Sequence, residues 1–246
     1  MQWREWEGIR WLEAELPGAR AAFSTRLGGV SSGPFESLNL GYLTGDRPGH
    51  VRANRARLAE ALGVDPGHVL VGHQVHEASV LRHTGPQQPP GYLTLAEQPP
   101  LVDGHATDLP GLAPLVLVAD CLPIALNGSK GVAMVHCGWR GLAGGIIEAG
   151  VGQTSAGAAA IGPGIGPCCY EVGEEVLARF EHLGAGIARG RMLDLHEVAA
   201  RLLARAGVAD VERTSHCTSC EPELFFSHRR DAGETGRQAG VIVRDG

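Results

Sequence analysis

No stretch of this 246-residue chain is long and apolar enough to span a bilayer, and the N-terminal Met1-Gln2-Trp3-Arg4-Glu5-Trp6-Glu7 has no apolar signal core. A membrane protein and a secreted one are both disfavoured, and the cytoplasm is the expected location. There is no basic block: 21 Lys+Arg are scattered among 27 Asp+Glu, for a net charge of −6. Binding a phosphate backbone needs a concentrated positive face, so nucleic acid is not an expected partner. No fixed-period repeat and no low-complexity tract is present. With 43% hydrophobic and 20% charged residues the composition is that of an ordinary globular protein, and the length suffices for a buried core in one domain over residues 1–246.

A chain of this size has no need of disulfide staples. The six cysteines, Cys121, Cys137, Cys168, Cys169, Cys217 and Cys220, are therefore expected to be reduced, with a few free to act as ligands or catalysts. Gly (36) and Pro (15) are abundant and dispersed, which implies many short elements joined by turns. The Gly85-Pro86-Gln87-Gln88-Pro89-Pro90-Gly91 segment is the clearest loop.

Helices are expected over residues 50–62, 142–151, 170–181 and 195–206. In the last of these Asp194 suits an N-cap, Glu197 completes a capping box and Gly207 ends the helix. Strands are expected at 20–25, 68–71, 79–82, 115–126, 131–137, 158–161 and 240–244. The two kinds of element do not alternate regularly, so the fold class is α+β, with sheets covered by helices.

The apolar runs 115–126 and 131–137 flank a turn-like Asn127-Gly128-Ser129-Lys130 and read as a β-hairpin. A four-residue loop pairs Leu126 with Gly131 and sets Cys121 directly opposite His136, at a separation suited to two ligands of one metal. A two-residue Asn-Gly turn would instead set Cys121 opposite Met134. Pro123 argues that the first strand ends, bulges or lies at an edge just after Cys121. A Cys–His pair needs a third ligand, and Gly72-His73-Gln74-Val75-His76 offers two histidines, either of which could reach in. Two His, one Cys and an open position form a catalytic zinc arrangement, which polarises a substrate oxygen or activates water. Asp103 and Asp120 could orient those ligands. A buried cysteine in an apolar strand is, by itself, ordinary packing.

Several segments together resemble one known family. They are Phe23-Ser24-Thr25-Arg26-Leu27-Gly28-Gly29-Val30-Ser31 with Ser37-Leu38-Asn39-Leu40-Gly41; Gln74-Val75-His76; Ala119-Asp120-Cys121-Leu122-Pro123; and His136-Cys137-Gly138-Trp139-Arg140-Gly141. Ile161-Gly162-Pro163-Gly164-Ile165, Phe226-Ser227-His228-Arg229-Arg230 and Thr235-Gly236-Arg237 complete the ordered set. The family is the YfiH-type laccase-domain, or polyphenol-oxidase-like, family. The resemblance implies a monomer with a central β-sandwich and outer helices, layered α/β/β/α. It implies one zinc held by His76, Cys121 and His136, which selects His76 over His73. It also implies phosphorolysis of adenosine, inosine and methylthioadenosine, with adenosine deamination as a side activity. The substrates are then a purine nucleoside and phosphate, and Arg26, Asn39 and Arg140 are the candidates to bind them. Arg229, Arg230 and Arg237 form a further small basic group.

The chain departs from the family pattern at Glu77, where glycine is usual, and in carrying Cys217-Thr218-Ser219-Cys220. That element could form a second metal site with His216 or His228, although free loop thiols are the plainer reading. Two other functions compete with the nucleoside reading. A copper-dependent phenol oxidase would use the same imidazole and thiolate donors, but several coppers need more clustered histidines than the 11 dispersed here. A non-catalytic zinc protein would need a fourth ligand such as His73 or Cys137, and Cys137 should face away from His136.

Overall fold

A computed structural model describes residues 1–245. Its frame is a pair of stacked six-stranded sheets. One has the order β1 (Gln2–Trp6), β2 (Ile9–Leu16), β3 (Ala19–Ser24), β14 (Gln238–Arg244), β7 (Ala113–Val118), β4 (Val69–Leu70). The other runs β13 (Asp210–Arg213), β10 (Ala156–Ile161), β8 (Leu122–Gly128), β9 (Gly131–Cys137), β6 (Gly104–Thr107), β5 (Val80–His83). β11 (Ala188–Arg189) and β12 (Met192–Leu193) form a separate small hairpin. Most neighbours are antiparallel, while β4–β7, β5–β6 and β10–β13 are parallel.

Side-chain alternation sorts the core into layers. Along β9, Val132 and Met134 point between the sheets, where they meet Phe23, Val116, Val118 and Ile242. Ala133, Val135 and Cys137 point outward, under helices α2 (Trp139–Gly144), α3 (Ile146–Thr154), α4 (Glu174–Leu177) and α5 (Leu195–Arg205). Helix α1 (Pro48–Ala61) lays Leu58 and Ala59 on the outer face of the other sheet, against Leu115 and Val241. The α/β/β/α layering is thus as expected. Among the described residues, no helix is long and apolar enough to cross a membrane.

Three local expectations are corrected. The run 115–126 is two strands, not one. β7 and β8 belong to different sheets, and the chain crosses between them at Ala119-Asp120-Cys121, where Asp120 has φ +87°. Both pieces are buried, so their hydrophobicity is continuous while their backbone is not. The hairpin register also differs from both expectations: the turn is Ser129-Lys130, Leu122 faces Cys137 and Pro123 faces His136. Asn127-Gly128 continues the strand because the Asn127 amide donates to the Pro17 carbonyl, and because a Cβ at Gly128 would meet the Ser155 carbonyl oxygen at 2.2 Å. This slip of two residues preserves the face of every side chain, so Cys121 and His136 still share one. Pro123 lies inside β8, and the first strand has ended at Val118, with Cys121 in the crossover; the Pro123 carbonyl accepts from Gly162 N–H just past the end of β10.

The helices differ in extent. The 170–181 segment is helical only over Glu174–Leu177, and the 142–151 segment splits at Gly145, φ +93°. In α5, Asp194 caps the Glu197 N–H, but no capping box closes because the Glu197 carboxylate is taken by Arg201 and Arg213. β1, β2, β6 and β13, with the small β11–β12 hairpin, lay outside the sequence expectation.

The inter-sheet layer depends on Phe23, 1% exposed, whose ring fills the space left by the missing side chain of Gly162. Phe23→Ala is expected to lower the unfolding free energy by about 3–5 kcal/mol, read as a shift in the urea midpoint; a loss under 1 kcal/mol would mean that the sheets close over the gap.

Candidate metal centre

The His76, Cys121 and His136 side chains converge where β8 and β9 emerge from the sandwich, each offering one ligand atom, all within 4.8 Å of one another. His136 stands near the end of β9 on the inter-sheet face, and Cys121 enters from the crossover just before β8. His76 comes from the loop between β4 and β5, its ring edge-on to His136 at 4.8 Å.

Asp103 fixes this geometry. Its carboxylate is fully buried and takes four donors. Oδ1 accepts His76 N–H (2.9 Å) and the His136 Nδ1 proton (2.8 Å). Oδ2 accepts Val75 N–H (3.1 Å) and Glu77 N–H (2.8 Å). The three consecutive amides wrap the carboxylate, and that wrap holds His76 at φ +64°, a conformation disfavoured for a residue with a Cβ. Because Asp103 holds Nδ1–H, the Nε2 lone pair of His136 is the one turned to a metal. Gln74 pins the same loop from its other side, its amide bonded both ways to the Leu117 backbone.

The electrostatics suit metal ligation. Burial pushes the Asp103 carboxyl up, but the bonds from His136 and from the Glu77 and His76 amides outweigh it and hold the group below its usual range. Burial likewise opposes ionisation of Cys121, yet His136 and His76 bring its thiol down to about 6. His136 is raised to about 9, against burial, by Cys121 and Asp103. The metal-free site is therefore a thiolate–imidazolium pair. A soft thiolate and two imidazoles match the donor set of a zinc-type ion with a fourth position open.

That open side faces a cavity of about 570 Å³. Tyr42, Trp139 and Tyr170 line it, as do Arg140, Arg229 and Arg237. Arg140 stacks over Trp139, and Arg229 stacks over Tyr170. Arg55 adds a buried positive charge at its edge, donating to the Leu40 and Tyr92 carbonyls between two tyrosine rings.

The other sequence candidates separate cleanly. Arg140 lines the cavity. Arg26 does not: its guanidinium is spent on the Glu36 and Pro222 carbonyls and lies over Phe226. Asn39 is fully buried and accepts Gly41 N–H and Arg237 N–H, so it supports the backbone that carries Arg237. His73 lines the cavity but stays outside the ligand cluster, as does Cys137, which is buried on the helix side. Asp120 touches no ligand side chain; it accepts Thr218 Oγ1–H and Arg229 N–H, both at 2.6 Å. Glu77 needs no glycine, because the positive φ falls on His76. Arg230 is paired with Asp231. Neither His216, bonded to Glu221, nor His228, on the cavity wall, joins Cys217 and Cys220; Cys168 and Cys169 do. Sequence reasoning missed Arg55, Tyr170 and the two adjacent cysteines, whose neighbours are remote in the chain.

Residues 20–245 match the sequence profile of a family described as multi-copper polyphenol oxidoreductase laccase. The chain is 39% identical over 262 residues to purine nucleoside phosphorylase YlmD of Geobacillus stearothermophilus, covering 97% of this chain and 96% of that one. It is 38% identical over 238 residues to purine nucleoside phosphorylase YfiH of Escherichia coli, covering 92% and 93%. The crystal structure of YlmD from Geobacillus stearothermophilus superimposes with a TM-score of 0.89 at 37% identity, over 99% of this chain and 98% of that one.

Two outcomes follow from this geometry. Asp103→Asn replaces an acceptor-only group and should weaken zinc binding about 10- to 100-fold, measured by competition with a chromogenic chelator; unchanged affinity would remove Asp103 from the site's support. In chelator-treated protein the Cys121 thiol lies below its usual range, so its thiolate persists at neutral pH and is lost as pH falls through about 6. Peptide-resolved iodoacetamide labelling of Cys121 should plateau above pH 7, with Cys137 unlabelled; a Cys121 rate still climbing through about pH 8 would contradict it.

Proposed function

We propose that this chain, which belongs to the multi-copper polyphenol oxidoreductase laccase family, is a metal-dependent purine nucleoside phosphorylase acting on adenosine, inosine and methylthioadenosine. The observation that carries the reading is the open side of the His76–Cys121–His136 cluster, which faces a cavity walled by both arginines and aromatic rings. About 570 Å³ is within the usual range for small-molecule sites. The names of relatives from Geobacillus stearothermophilus and Escherichia coli point the same way.

In this reading His76, Cys121 and His136 hold one zinc, which when bound supplies Lewis-acid polarisation of the substrate. Tyr42, Trp139 and Tyr170 offer faces for the purine. Arg140, Arg229 and Arg237 bind phosphate, spread its charge and orient one oxygen toward the ribose. That oxygen forms a bond to C1′ as the C1′–N9 bond breaks; the pair of electrons leaves with the base, which takes up the proton that hydrogen phosphate gives up, and the ribose 1-phosphate remains. Asp103 holds His136 in one tautomer throughout. Deamination of adenosine as the side activity would need the purine's C6 rather than C1′ beside the cluster: water adds at C6, the C6–N6 bond breaks, ammonia leaves and inosine remains. In the same reading the enzyme works in the cytoplasm as a monomer; its six cysteines, none paired in a disulfide, support a reducing compartment.

A copper oxidase has one observation in its favour: two His and one Cys are also a copper donor set. Among the described residues, however, only one cluster of three or more potential ligands contains histidine. That provides for one ion and not for several.

Chromatography of adenosine and inosine incubations, with and without phosphate, tests the proposal. Phosphate-dependent release of adenine and hypoxanthine is expected, reduced at least about 100-fold in Cys121→Ala. Absence of turnover by protein saturated with zinc would overturn it.

A further inference from the structure

The parallel strands β10 and β13 end side by side, and each runs into a tight turn that carries two cysteines. After β10, Gly166-Pro167-Cys168-Cys169 turns back on itself, with Cys169 N–H and Tyr170 N–H both donating to the Gly166 carbonyl. After β13, Cys217-Thr218-Ser219-Cys220 closes with Cys220 N–H on the Cys217 carbonyl. Thr218 N–H donates to the Gly164 carbonyl and locks the two turns together. The four sulfurs converge, all within 4.8 Å of one another. Cys220 Sγ is 3.4 Å from Cys168 Sγ and 3.3 Å from Cys169 Sγ.

We infer that Cys168, Cys169, Cys217 and Cys220 form a second metal site, a closed four-thiolate site for one zinc-type divalent ion, separate from the His76–Cys121–His136 centre. Around a tetrahedral ion with metal–sulfur bonds of about 2.3 Å, sulfurs stand about 3.8 Å apart, and the observed cluster brackets that value. A disulfide would join only two of the four, yet Cys220 is equally close to two partners, and none of the cysteines is bonded to another. An iron–sulfur cluster would spread the thiolates over several irons. Gly166 N–H donates to Cys217 Sγ at 3.2 Å, and a Cβ on Gly166 would press on the sulfurs of Cys217 and Cys168, so the surrounding backbone is shaped to thiolates.

Four protein ligands leave no open position, so the ion is structural. It clamps the wall of the other site. Tyr170, on the cavity, directly follows Cys169, and Thr218, which holds Asp120 beside Cys121, directly follows Cys217. These cysteines are positioning residues and touch no substrate.

Elemental analysis of protein produced with added zinc and then desalted tests the site. Cys121→Ala should retain one equivalent, and Cys168→Ser/Cys220→Ser should have one equivalent fewer than the wild type. Cobalt(II) added to metal-stripped Cys121→Ala should give the intense visible bands of tetrahedral cobalt–thiolate. That measurement needs neither serine substitution and decides the matter even if the double variant fails to fold. A metal-free Cys121→Ala without those bands would overturn the inference. So would an intact mass showing loss of hydrogen from disulfide pairs among these cysteines.

Discussion

One buried carboxylate organises the candidate metal centre. Asp103 lies just before β6, at a point where its own backbone links the strands on either side: its N–H donates to the Ser79 carbonyl and its carbonyl accepts His136 N–H. Its side chain then gathers three amides of the β4–β5 loop and the His136 ring. Charge-assisted hydrogen bonds of this kind contribute about 1.5–3 kcal/mol each. Four of them are enough to offset both the burial of a full charge and the left-handed backbone of His76. Remove the carboxylate and three problems arise together: unsatisfied amides, a loop without its restraint and an imidazole free to change tautomer. The placement of His76 and His136 is thus a consequence of the fold around Asp103.

Asp120 performs the complementary task from the opposite wall. Its φ of +87° turns the chain from one sheet to the other and delivers Cys121. Its carboxylate binds Thr218 and Arg229, so the loop after β13 and the segment leading to β14 are tied to the residue beside a ligand. Asp103 serves the ligands and Asp120 serves the cavity wall. The cysteine turns lie behind that second wall, which is why a structural ion there would matter to a site it does not enter.

What could be read in the sequence follows from the range of the interactions involved. The mixing of strands with covering helices was legible in the sequence, whereas the α/β/β/α layering came with the family resemblance, since a strand such as β9 is buried along its whole length and shows no polar face; α5 was legible because Asp194 and its amphipathic pattern are local signals. The pairing of Cys121 with His136 was legible even under a wrong register, since a shift of two residues leaves every side chain on its face. The register itself was not, because Gly128 answers to Ser155 and Asn127 to Pro17, contacts that no local pattern encodes. Arg26 and Asn39 looked like ligand-binding residues beside glycines. Their polar groups are consumed by carbonyls and amides of remote segments, which spacing cannot reveal. The family resemblance chose His76 over His73, and the physical reason is now visible: the Asp103 wrap turns residue 76 inward, while the His73 backbone pairs with Pro100 and Val102.

The description of the family as a copper oxidoreductase and the names of its phosphorylase relatives meet in a single donor set, and the surroundings of that set decide between them. A thiolate and two imidazoles accept copper or zinc. An electron-transfer copper is commonly completed by a distant thioether and shielded from solvent. Here Met134, on β9, packs between the sheets with its sulfur beside Gly240. The open coordination side instead faces a chamber whose polar lining is cationic and whose flat lining is aromatic. Arginines at such a position are unnecessary for abstracting electrons from a neutral phenol and would oppose the approach of a cationic substrate. They suit a polyanion that must be held beside a planar base. The shape and charge of the chamber, more than the ligands themselves, therefore support the proposed transfer of a ribosyl group from a nucleoside to phosphate.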